Sequence, residues 1–325
     1  MNNQESKKLE KKVVEILRKY IKKNDKIILG VSGGPDSIFL LQMCKLIPCK
    51  IIVAHLNHSL RKESEKEASF VKKISKDLIF EGKKANTKII SKKNKEGLEE
   101  TGRQLRYEFF LDIARKHKSR LILTAHHADD NLETIIFNFI RGSSLEGLCG
   151  INEFEKISEN VFLFRPLLEI SKKEITNYLK FFNIPFCIDK SNENTIHTRN
   201  FIRHMLIPKM KKINPSISET VSRNTANLKE ISSFLKISTQ NWLKNHITGK
   251  NPRYLSARDF KKLQTAIQKS VLIEIYKDIN GTSKNLEKIH LEEALELINK
   301  NIGNKKKKMG SLTVNLKNNI VSIQK

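Results

Sequence analysis

The stretch that decides the fold runs Lys26-Ile-Ile-Leu-Gly-Val-Ser-Gly-Gly-Pro-Asp-Ser-Ile-Phe-Leu-Leu41. Its apolar run from Ile27 to Val31 predicts a buried strand of a parallel sheet. The tight turn Ser32–Ser37 follows, and helical spacing of apolar residues begins at Ile38. In such a turn, backbone N–H groups converge on one point in front of the positive end of a helix. The stretch therefore predicts a cradle for phosphate groups.

The turn differs from two common phosphate-binding motifs. No lysine follows the glycines, as in G-x-x-x-x-G-K-[ST], and the G-x-G-x-x-G spacing of dinucleotide sites is missing. The turn carries Asp36 instead. A carboxylate would repel phosphate unless a cation lay between them, so we predict that Asp36 binds Mg²⁺. The alternative is an ordinary strand-to-helix turn that needs Gly-Gly-Pro for its geometry alone.

The chain is strongly basic. Its 325 residues include 61 Lys and Arg against 35 Asp and Glu, a formal net charge of +26. This charge predicts a nucleic-acid partner, because it attracts phosphate backbones over long range. A composition biased by an AT-rich coding sequence is the alternative. The polar start of the chain does not resemble a signal peptide, and no apolar run is long enough for a membrane span, so the expected compartment is the cytoplasm.

The cysteines are too scattered for a metal or redox motif. They are Cys44, Cys49, Cys149 and Cys187, and no pair forms C-x-x-C. We therefore predict reduced core residues rather than zinc ligands, a redox pair or a disulfide framework.

Strands and helices alternate through the first part of the chain. Further buried strands are predicted at Lys50–Leu56 and Arg120–Thr124, with a basic connector at Gly82–Asn94. The pattern predicts an α/β fold with an open parallel sheet, whose ligands bind at the carboxyl ends of the strands. Asn214-Pro215 marks the predicted boundary between domain 1–214 and a smaller, mainly helical domain 215–325. That domain is predicted to end in a hairpin, with Lys305–Lys308 in a turn.

Acidic residues gather after the third predicted strand, in Ala125-His-His-Ala-Asp-Asp-Asn-Leu-Glu-Thr134. The candidate functional residues of this segment are His126, Asp129, Asp130 and Glu133. Asp130 and Glu133 project from one side of a helix, and Asp129 is predicted at its N-cap. Such crowding is costly unless a cation binds, either Mg²⁺ or an ammonium group. The alternative is a helix start enriched in acids to suit the helix dipole.

Arginines form the candidate contacts to RNA or phosphate. Arg103 and Arg106 share one face of the predicted helix Leu98–His117 because they are three residues apart. Arg141 lies in a glycine-bearing loop after the acidic helix, and Arg199 and Arg203 lie in a later basic cluster. For the two arginine pairs, a solvated helix face is the alternative.

Together these motifs resemble the tRNA(Ile)-lysidine synthetase (synthase) family of PP-loop ATP pyrophosphatases, in its short form. The turn S-G-G-x-D-S identifies only the superfamily, whereas the combination of motifs is more specific. The segments that carry the resemblance are Ser32–Ser37, His55–Arg61, Arg103–Phe110, His126–Thr134, Arg141–Ser143, Arg165–Leu168 and Arg199–Arg203. The family often has Gln where Asn131 stands. The last third of the chain matches only in length and helical character.

The resemblance implies a Rossmann-like PP-loop ATPase domain, similar to adenine nucleotide α-hydrolases. It implies that ATP adenylates the 2-carbonyl oxygen of the wobble cytidine in the CAU anticodon of an isoleucine tRNA. Free L-lysine then displaces AMP. The implied ATP-binding residues are Ser32, Gly33, Gly34, Pro35, Asp36 and Ser37. The resemblance further implies that the enzyme uses Mg²⁺, that its second domain binds tRNA and that the protein forms a homodimer.

The resemblance and the local chemistry together assign roles to Asp36 in the turn and to the residues of the acidic segment. Asp36, Asp130 and Glu133 are the predicted catalytic residues. The lysine-binding candidates are Asp129, Asp130, Glu133 and His126. A second metal at these carboxylates is the alternative, since carboxylates suit both kinds of cation.

Three other functions compete with this interpretation. A tRNA thiolation enzyme of the same superfamily would need a cysteine pair near the loop, and Cys44 and Cys49 have the wrong spacing. An ammonia-using PP-loop ligase acts on small molecules and has no evident need for so basic a chain. An RNA-binding protein with a degenerate nucleotide domain is opposed by the intact Ser32–Ser37 turn.

Overall fold

The protein is described by a computed structural model for residues 1–59, 63–187, 198–282, 285–300 and 305–325. Leu60 and Arg61, which end the second motif of the family resemblance, lie outside these described residues. The chain divides into two compact units, Met1–Ala226 and Asn227–Lys325. Within the described ranges, no helix is both long enough and apolar enough to cross a lipid bilayer.

The first unit is an α/β structure. Its strands are β1 (Lys26–Gly30), β2 (Lys50–Asn57), β3 (Ile79–Lys84), β4 (Leu121–Leu123), β5 (Phe154–Ser158) and β6 (Val161–Phe164). Its helices before the acidic segment are α1 (Asn3–Arg18), α2 (Pro35–Lys45), α3 (Ser64–Ile74), α4 (Thr87–Asn94) and α5 (Leu98–His117). The later ones are α6 (Ala128–Ile140), α7 (Leu145–Leu148), α8 (Lys172–Phe181), α9 (Thr198–Phe201), a π-helical turn (Ile202–Leu206) and α10 (Ile207–Ile213).

The strand order β3-β2-β1-β4-β6-β5 brings two motifs together. All neighbouring strands are parallel except β5 and β6, so the predicted open parallel sheet is confirmed. Leu29 of β1 pairs with Val53 of β2 on one side and with Leu123 of β4 on the other. The chain order reverses between β1 and β4, and at such a switch point the segments that leave the two strands enclose a crevice. The turn after β1 and the acidic segment after β4 therefore face each other.

The central strands are apolar because helices cover both faces of the sheet. Ile27 and Leu29 belong to one buried cluster, and Ile28 belongs to another that includes Phe110 of α5. The contact between β1 and α5 is close: a Cβ at Gly30 would lie 2.6 Å from the ring of Phe110. A larger residue at this position, two residues before the Ser32–Ser37 turn, would require the buried Phe110 ring to move, so glycine is favoured.

Two parts of the first unit differ from the prediction. The segment Gly82–Asn94, predicted as a connector, contributes the end of β3 and the whole of α4. The β3 strand lies at the sheet edge, where four of its six residues are exposed, so its sequence lacks the continuous apolar run of a central strand. The antiparallel edge strand β5 was also not predicted.

The second unit contains an antiparallel sheet as well as helices. Its strands are β7 (Arg253–Ser256), β8 (Lys306–Met309), β9 (Leu312–Lys317) and β10 (Ile320–Gln324), in the order β7-β10-β9-β8. Its helices are α12 (Ala257–Lys261), α13 (Thr265–Asn280), α14 (Lys288–Asn299) and the later part of α11 (Ile217–His246). β9 and β10 pair as the hairpin that the alternation predicts. Lys306–Lys308, predicted in a turn, lie in strand β8, which pairs with β9.

The division between the units falls within α11, later than the predicted boundary. Asn214 ends α10. The first turns of α11 nevertheless belong to the first unit, because Ile217 and Val221 pack against a cluster of Leu132, Ile202 and Ile207.

Candidate active site

The turn after β1 is built for close approach of a ligand. Gly33 has a φ of 94°, a left-handed conformation that favours glycine. Gly34 caps α2 and Pro35 occupies its first turn, so the free N–H groups of the helix start point out of the turn. The Ser37 hydroxyl donates to the Gly34 carbonyl at 2.9 Å, and the Ser32 and Ser37 hydroxyls lie 3.3 Å apart. These contacts fix the shape of the turn, which suits an anion.

His127 connects this turn to the acidic segment. Its Nε2 lies 3.6 Å from a carboxylate oxygen of Asp36 and 3.5 Å from one of Asp130. His127 also caps α6: its Nδ1 accepts from the Asp130 N–H at 3.4 Å, while its own N–H donates to the Asp130 carboxylate at 3.0 Å. The predicted cap at Asp129 is therefore wrong, because Asp129 lies one residue inside the helix. Histidine is not among the preferred N-cap residues, which is why the sequence did not indicate it.

Burial and the neighbouring charges shift the pKa values of both groups in this link. Burial opposes protonation of His127, but the carboxylates of Asp130, Asp36 and Asp129 outweigh it and raise the pKa of the imidazole. Burial likewise opposes ionisation of Asp36, whereas its hydrogen bond to His127 and nearby positive charge keep the pKa of that carboxyl lowered. Both shifts favour the charged forms, an ion pair of His127 with the Asp36 carboxylate. Protonation of Nδ1 would replace its 3.4 Å contact with the Asp130 N–H, because an imidazolium nitrogen donates and does not accept.

The second oxygen of Asp36 fits a cation. Asp36 Oδ1 is buried and has no hydrogen-bond partner among the residues that the structure describes. A buried carboxylate oxygen without a partner is costly, and a hard cation would satisfy it. In the described ranges no group of three His, Cys, Asp or Glu could hold a metal. The chemistry thus suits Mg²⁺ held by one carboxylate together with phosphate oxygens, as is usual for this ion.

Arg203 reaches the acidic segment from the π-helical turn. Its Nε donates to Glu133 at 2.7 Å and its Nη2 donates to Asp130 at 3.1 Å. Burial raises the pKa of Glu133, and Asp130 adds to this effect while Arg203 opposes it. Glu133 is therefore a buried carboxyl whose protonation depends on its neighbours, a property of general acids and bases.

Asp129 has a different environment. One of its carboxylate oxygens accepts from Lys211 of α10 and, at 3.1 Å, from the Ser218 hydroxyl of α11. The other accepts from the backbone N–H of Lys172 at 2.9 Å. Burial opposes ionisation, but the bond to Lys211 and the other contacts lower the pKa of Asp129. Asp129 thus joins the starts of α6, α8 and α11 to α10.

A second group of basic and imidazole side chains surrounds His126 of the acidic segment. Burial lowers the pKa of His126 to about 4, against the opposing charge of Asp130. Arg165, Arg106 and Arg103, in that order, lower it further, so both predicted arginines are close enough to interact with this histidine. Burial also lowers the pKa of His58 to about 4, and Arg106 again contributes. At neutral pH both histidines are uncharged beside the arginines.

The remaining predicted arginines meet at the far end of α6. The guanidinium groups of Arg141 and Arg199 each lie 5.1 Å from the centre of the Phe137 ring. Arg199 also donates to Glu99 of α5 at 3.3 Å. Two guanidinium groups over one ring concentrate positive charge, which suits a phosphate.

The cysteines do not form a reactive centre. Cys44 is buried, and burial raises its pKa well above the usual range. Burial raises the pKa of Cys49 to about 11, and it also raises the pKa of Cys187. Protonated thiols are poor nucleophiles and metal ligands at neutral pH.

Comparison with known proteins identifies the family. The PP-loop domain family matches residues 4–210. The tRNA(Ile)-lysidine synthase of Petrotoga mobilis is 40% identical over 222 residues, which cover 66% of this chain and 70% of that protein. The chain belongs to the tRNA(Ile)-lysidine synthase family. The member from Clostridioides difficile is 34% identical over 298 residues, 88% of this chain, although the match spans only 64% of that longer protein.

The fold comparison agrees with this family. The U34-tRNA thiolase from Methanococcus maripaludis, solved with its 4Fe-4S cluster, has a TM-score of 0.59 at 17% identity. The match covers 69% of this chain and 79% of the thiolase. At this identity the likeness shows the PP-loop fold alone, and it confirms the fold class predicted for the first unit.

The structure brings together most of the predicted site residues. Asp36, Asp130, Glu133 and Arg203 form one connected network through His127. Sequence reasoning missed His127 and Lys211. A basic residue opposite the acids could be expected from charge balance, but its position depends on contacts between distant segments.

His55 of β2 contacts the backbone just after β1. Its Nδ1 lies 2.8 Å from the Val31 carbonyl oxygen and so supports the end of the first strand.

Proposed function

We propose that the protein ligates free L-lysine to the 2-carbon of the wobble cytidine in a CAU anticodon, using ATP. The observation that carries the proposal is the link from Asp36 through His127 to Asp130, at 3.6 and 3.5 Å. It joins a phosphate cradle to a carboxylate cluster across one crevice. Adenylation followed by attack of an amine needs both sites side by side. Membership of the tRNA(Ile)-lysidine synthase family supports the same reaction.

In the first step, the 2-carbonyl oxygen of cytidine attacks the α-phosphorus of ATP and pyrophosphate leaves. Ser32, Gly33, Gly34 and Ser37 would bind the phosphates through backbone N–H and hydroxyl groups. Pro35, which has no N–H, would contribute by fixing the start of α2 beside the phosphates. Asp36 would hold Mg²⁺, which supplies charge neutralisation for the departing pyrophosphate. Taking a base from a single-stranded loop costs little, because it is not paired in a duplex.

In the second step, the ε-amine of lysine attacks carbon 2 and AMP leaves. The amine arrives protonated, since its ordinary pKa is about 10.4, and must lose a proton. We assign Asp130 and Glu133 to hold the ammonium group and Glu133 to accept the proton, because its pKa is raised. His126 remains a candidate contact as an uncharged imidazole. For Asp129, whose two oxygens already accept hydrogen bonds, we favour a positioning role.

Arginines would guide the tRNA to this crevice. Arg103 and Arg106 lie near His126, and Arg141 and Arg199 lie over Phe137. We propose phosphate contacts for these four. Arg203 is instead assigned to the carboxylates of Asp130 and Glu133.

A tRNA thiolation activity has less support. It would need a thiolate or an iron–sulfur cluster near the cradle. The raised pKa values of Cys44, Cys49 and Cys187 keep these thiols protonated.

Three further properties complete the proposal. The second domain is proposed to bind tRNA, and the protein is proposed to act in the cytoplasm, where its substrates occur. A homodimer is expected from the family resemblance.

The test is a pair of measurements on the purified full chain with Mg²⁺ and ATP. Pyrophosphate release reports adenylation, and incorporation of labelled lysine into RNA reports ligation. We expect both with an isoleucine tRNA transcript that carries CAU, and neither with a transcript whose wobble cytidine is replaced by uridine. Incorporation of sulfur, or pyrophosphate release that is independent of RNA, would contradict the proposal.

A further inference from the structure

The antiparallel sheet of the second unit has one face that is polar and basic. Leu255, Val314, Leu316 and Val321 point to its buried face, where they form the core of the unit. Because side chains alternate along a strand, the neighbouring residues point to the opposite face. This polar face comprises Tyr254, Ser256, Lys306, Lys308, Thr313, Asn315, Lys317, Ile320, Ser322 and Gln324.

The strand register aligns these residues into rows. Ser322 pairs with Tyr254 on one side and with Asn315 on the other, and Asn315 pairs with Lys306. Lys308 pairs with Thr313, and Lys317 pairs with Ile320. The three lysines are therefore spread along about 14 Å of the sheet, at about 3.4 Å per residue. Hydroxyl and amide side chains fill the positions between them and Tyr254.

Acidic residues are absent from this face. None of its residues is Asp or Glu, and the sequence contains no acid at all after Glu296. Lys307 and Arg253, which alternate with the residues of the polar face on β8 and β7, are both paired with acids. Lys307 contacts Glu293 of α14 at 3.3 Å, and Arg253 contacts Asp278 of α13. The polar face thus carries positive charge without the interspersed acids of an ordinary surface. Tyr254 and Ile320 are its exposed apolar side chains, at 40% and 52% exposure.

We propose that this polar face binds the ribose–phosphate backbone of a tRNA stem. The inference rests on the proposed function, since the tRNA substrate is the occupant. Spaced lysines suit successive phosphates, and hydroxyl and amide groups suit phosphate oxygens and 2′-hydroxyls. A single exposed aromatic residue gives too few stacking partners for an unpaired loop. A membrane surface would require an apolar face with a basic rim, which is not the pattern seen.

The test compares two triple variants with the same change in charge. The first is K306Q/K308Q/K317Q on the polar face. The control is K262Q/K288Q/K300Q, whose lysines belong to the same unit, off this face, and are 66%, 83% and 67% exposed. Binding of isoleucine tRNA is measured by fluorescence anisotropy at several salt concentrations. We expect the first variant to bind at least 10-fold more weakly than the control. The slope of the logarithm of the binding constant against the logarithm of the salt concentration should become smaller in magnitude by about 2 to 3.

Lysine footprinting supplies an independent measurement on the unmodified protein. Acetylation with and without tRNA is followed by mass spectrometry, and we expect protection of Lys306, Lys308 and Lys317. Equal affinity and equal salt slope in the two variants would overturn the proposal, as would protection by a polyglutamate peptide at the same concentration as tRNA. Failure of the proposed function would appear differently, as absence of pyrophosphate release from the wild type whatever the binding result.

Discussion

Arg203 and Glu133 form a hydrogen-bonded ion pair, with the guanidinium Nε donating to a carboxylate oxygen at 2.7 Å. The Glu133 side chain is 7% exposed and the Arg203 side chain 38%, so the carboxylate lies out of water while the guanidinium side chain is partly exposed. The same guanidinium group reaches Asp130. An arriving lysine ammonium would therefore meet carboxylates that already share one positive charge. The pair sets how readily Glu133 takes up a proton.

Glu133→Gln should separate the two steps of the reaction. Loss of the proton acceptor should slow lysine incorporation by about 100-fold or more, the usual contribution of a general base. Pyrophosphate release should remain within a few-fold, because Asp36 and the cradle are unchanged. Both steps are measured in single-turnover reactions, with Glu108→Gln on the exposed side of α5 as control. Equal loss of the two steps would contradict the assignment.

Arg203→Gln should move the pH dependence of lysine incorporation. Arg203 lowers the pKa of Glu133 against the effect of burial, so its removal should let that pKa rise. The base must be ionised to act, and the acid limb of the rate profile should therefore shift to higher pH. The measurement is the single-turnover rate of incorporation from pH 5.5 to 9. A profile that loses amplitude at every pH without a shift would indicate a purely structural role.

The sequence predicts the central part of the fold because buried parallel strands are continuous apolar runs. Strands β1, β2 and β4 were all recognised in this way. Edge strand β3 was not, since four of the six residues in Ile79-Phe-Glu-Gly-Lys-Lys84 are exposed and the segment carries no such run. Strand β8 was missed for the same reason, because Lys306 to Lys308 are exposed.

For the site, the sequence predicts which residues are chemically suited but not which of them meet. The acids Asp129, Asp130 and Glu133 were all predicted as candidates to bind lysine. The structure distinguishes them through partners that are distant in the sequence: Lys211 and Ser218 contact Asp129, whereas Arg203 contacts the other two. Such pairings depend on tertiary packing and leave no local pattern.

Asp36→Asn should abolish adenylation. The variant keeps the size of the side chain but loses the charge that would hold Mg²⁺ beside pyrophosphate. We expect at least about a 100-fold loss of pyrophosphate release and a weaker dependence on Mg²⁺ concentration. Asp77→Asn on an exposed position is the matched control. An unchanged dependence of the residual rate on Mg²⁺ would argue against Asp36 as its ligand.

The two adjacent histidines should show opposite effects of pH on stability. The pKa of His127 is raised above the ordinary value of 6.5, so its stabilising contribution is complete below that pH and is lost as pH rises through the folded-state pKa. The pKa of His126 is lowered to about 4, so its effect is destabilising as pH falls from 6.5 towards 4. For each proton that binds to only one of the folded and unfolded states, the free energy of unfolding changes by at most about 1.4 kcal/mol per pH unit.

Urea unfolding in EDTA tests this prediction with His127→Asn and His126→Asn. The loss of unfolding free energy in His127→Asn should be larger at pH 6 than at pH 8.5. For His126→Asn, the loss should become smaller as pH falls from 6.5 to 4.5. Parallel curves for the two variants would show that their surroundings do not differ as described.

Asp129→Ala should act on stability more than on lysine binding. Both carboxylate oxygens are occupied, by Lys211 and Ser218 on one side and by the Lys172 N–H on the other, and the side chain is 12% exposed. Removing it leaves these donors without their acceptor and should lower the free energy of unfolding by about 2 kcal/mol or more. The exposed ion pair of Asp112 with Arg115 offers the control Asp112→Ala, for which a change below about 0.5 kcal/mol is expected. Because Asp130 and Glu133 keep their positions on α6, the KM for lysine should change less than about 3-fold, well under the factor of 10 that 1.4 kcal/mol of lost binding would give. A 10-fold higher KM at unchanged stability would instead make Asp129 a direct contact to the substrate ammonium.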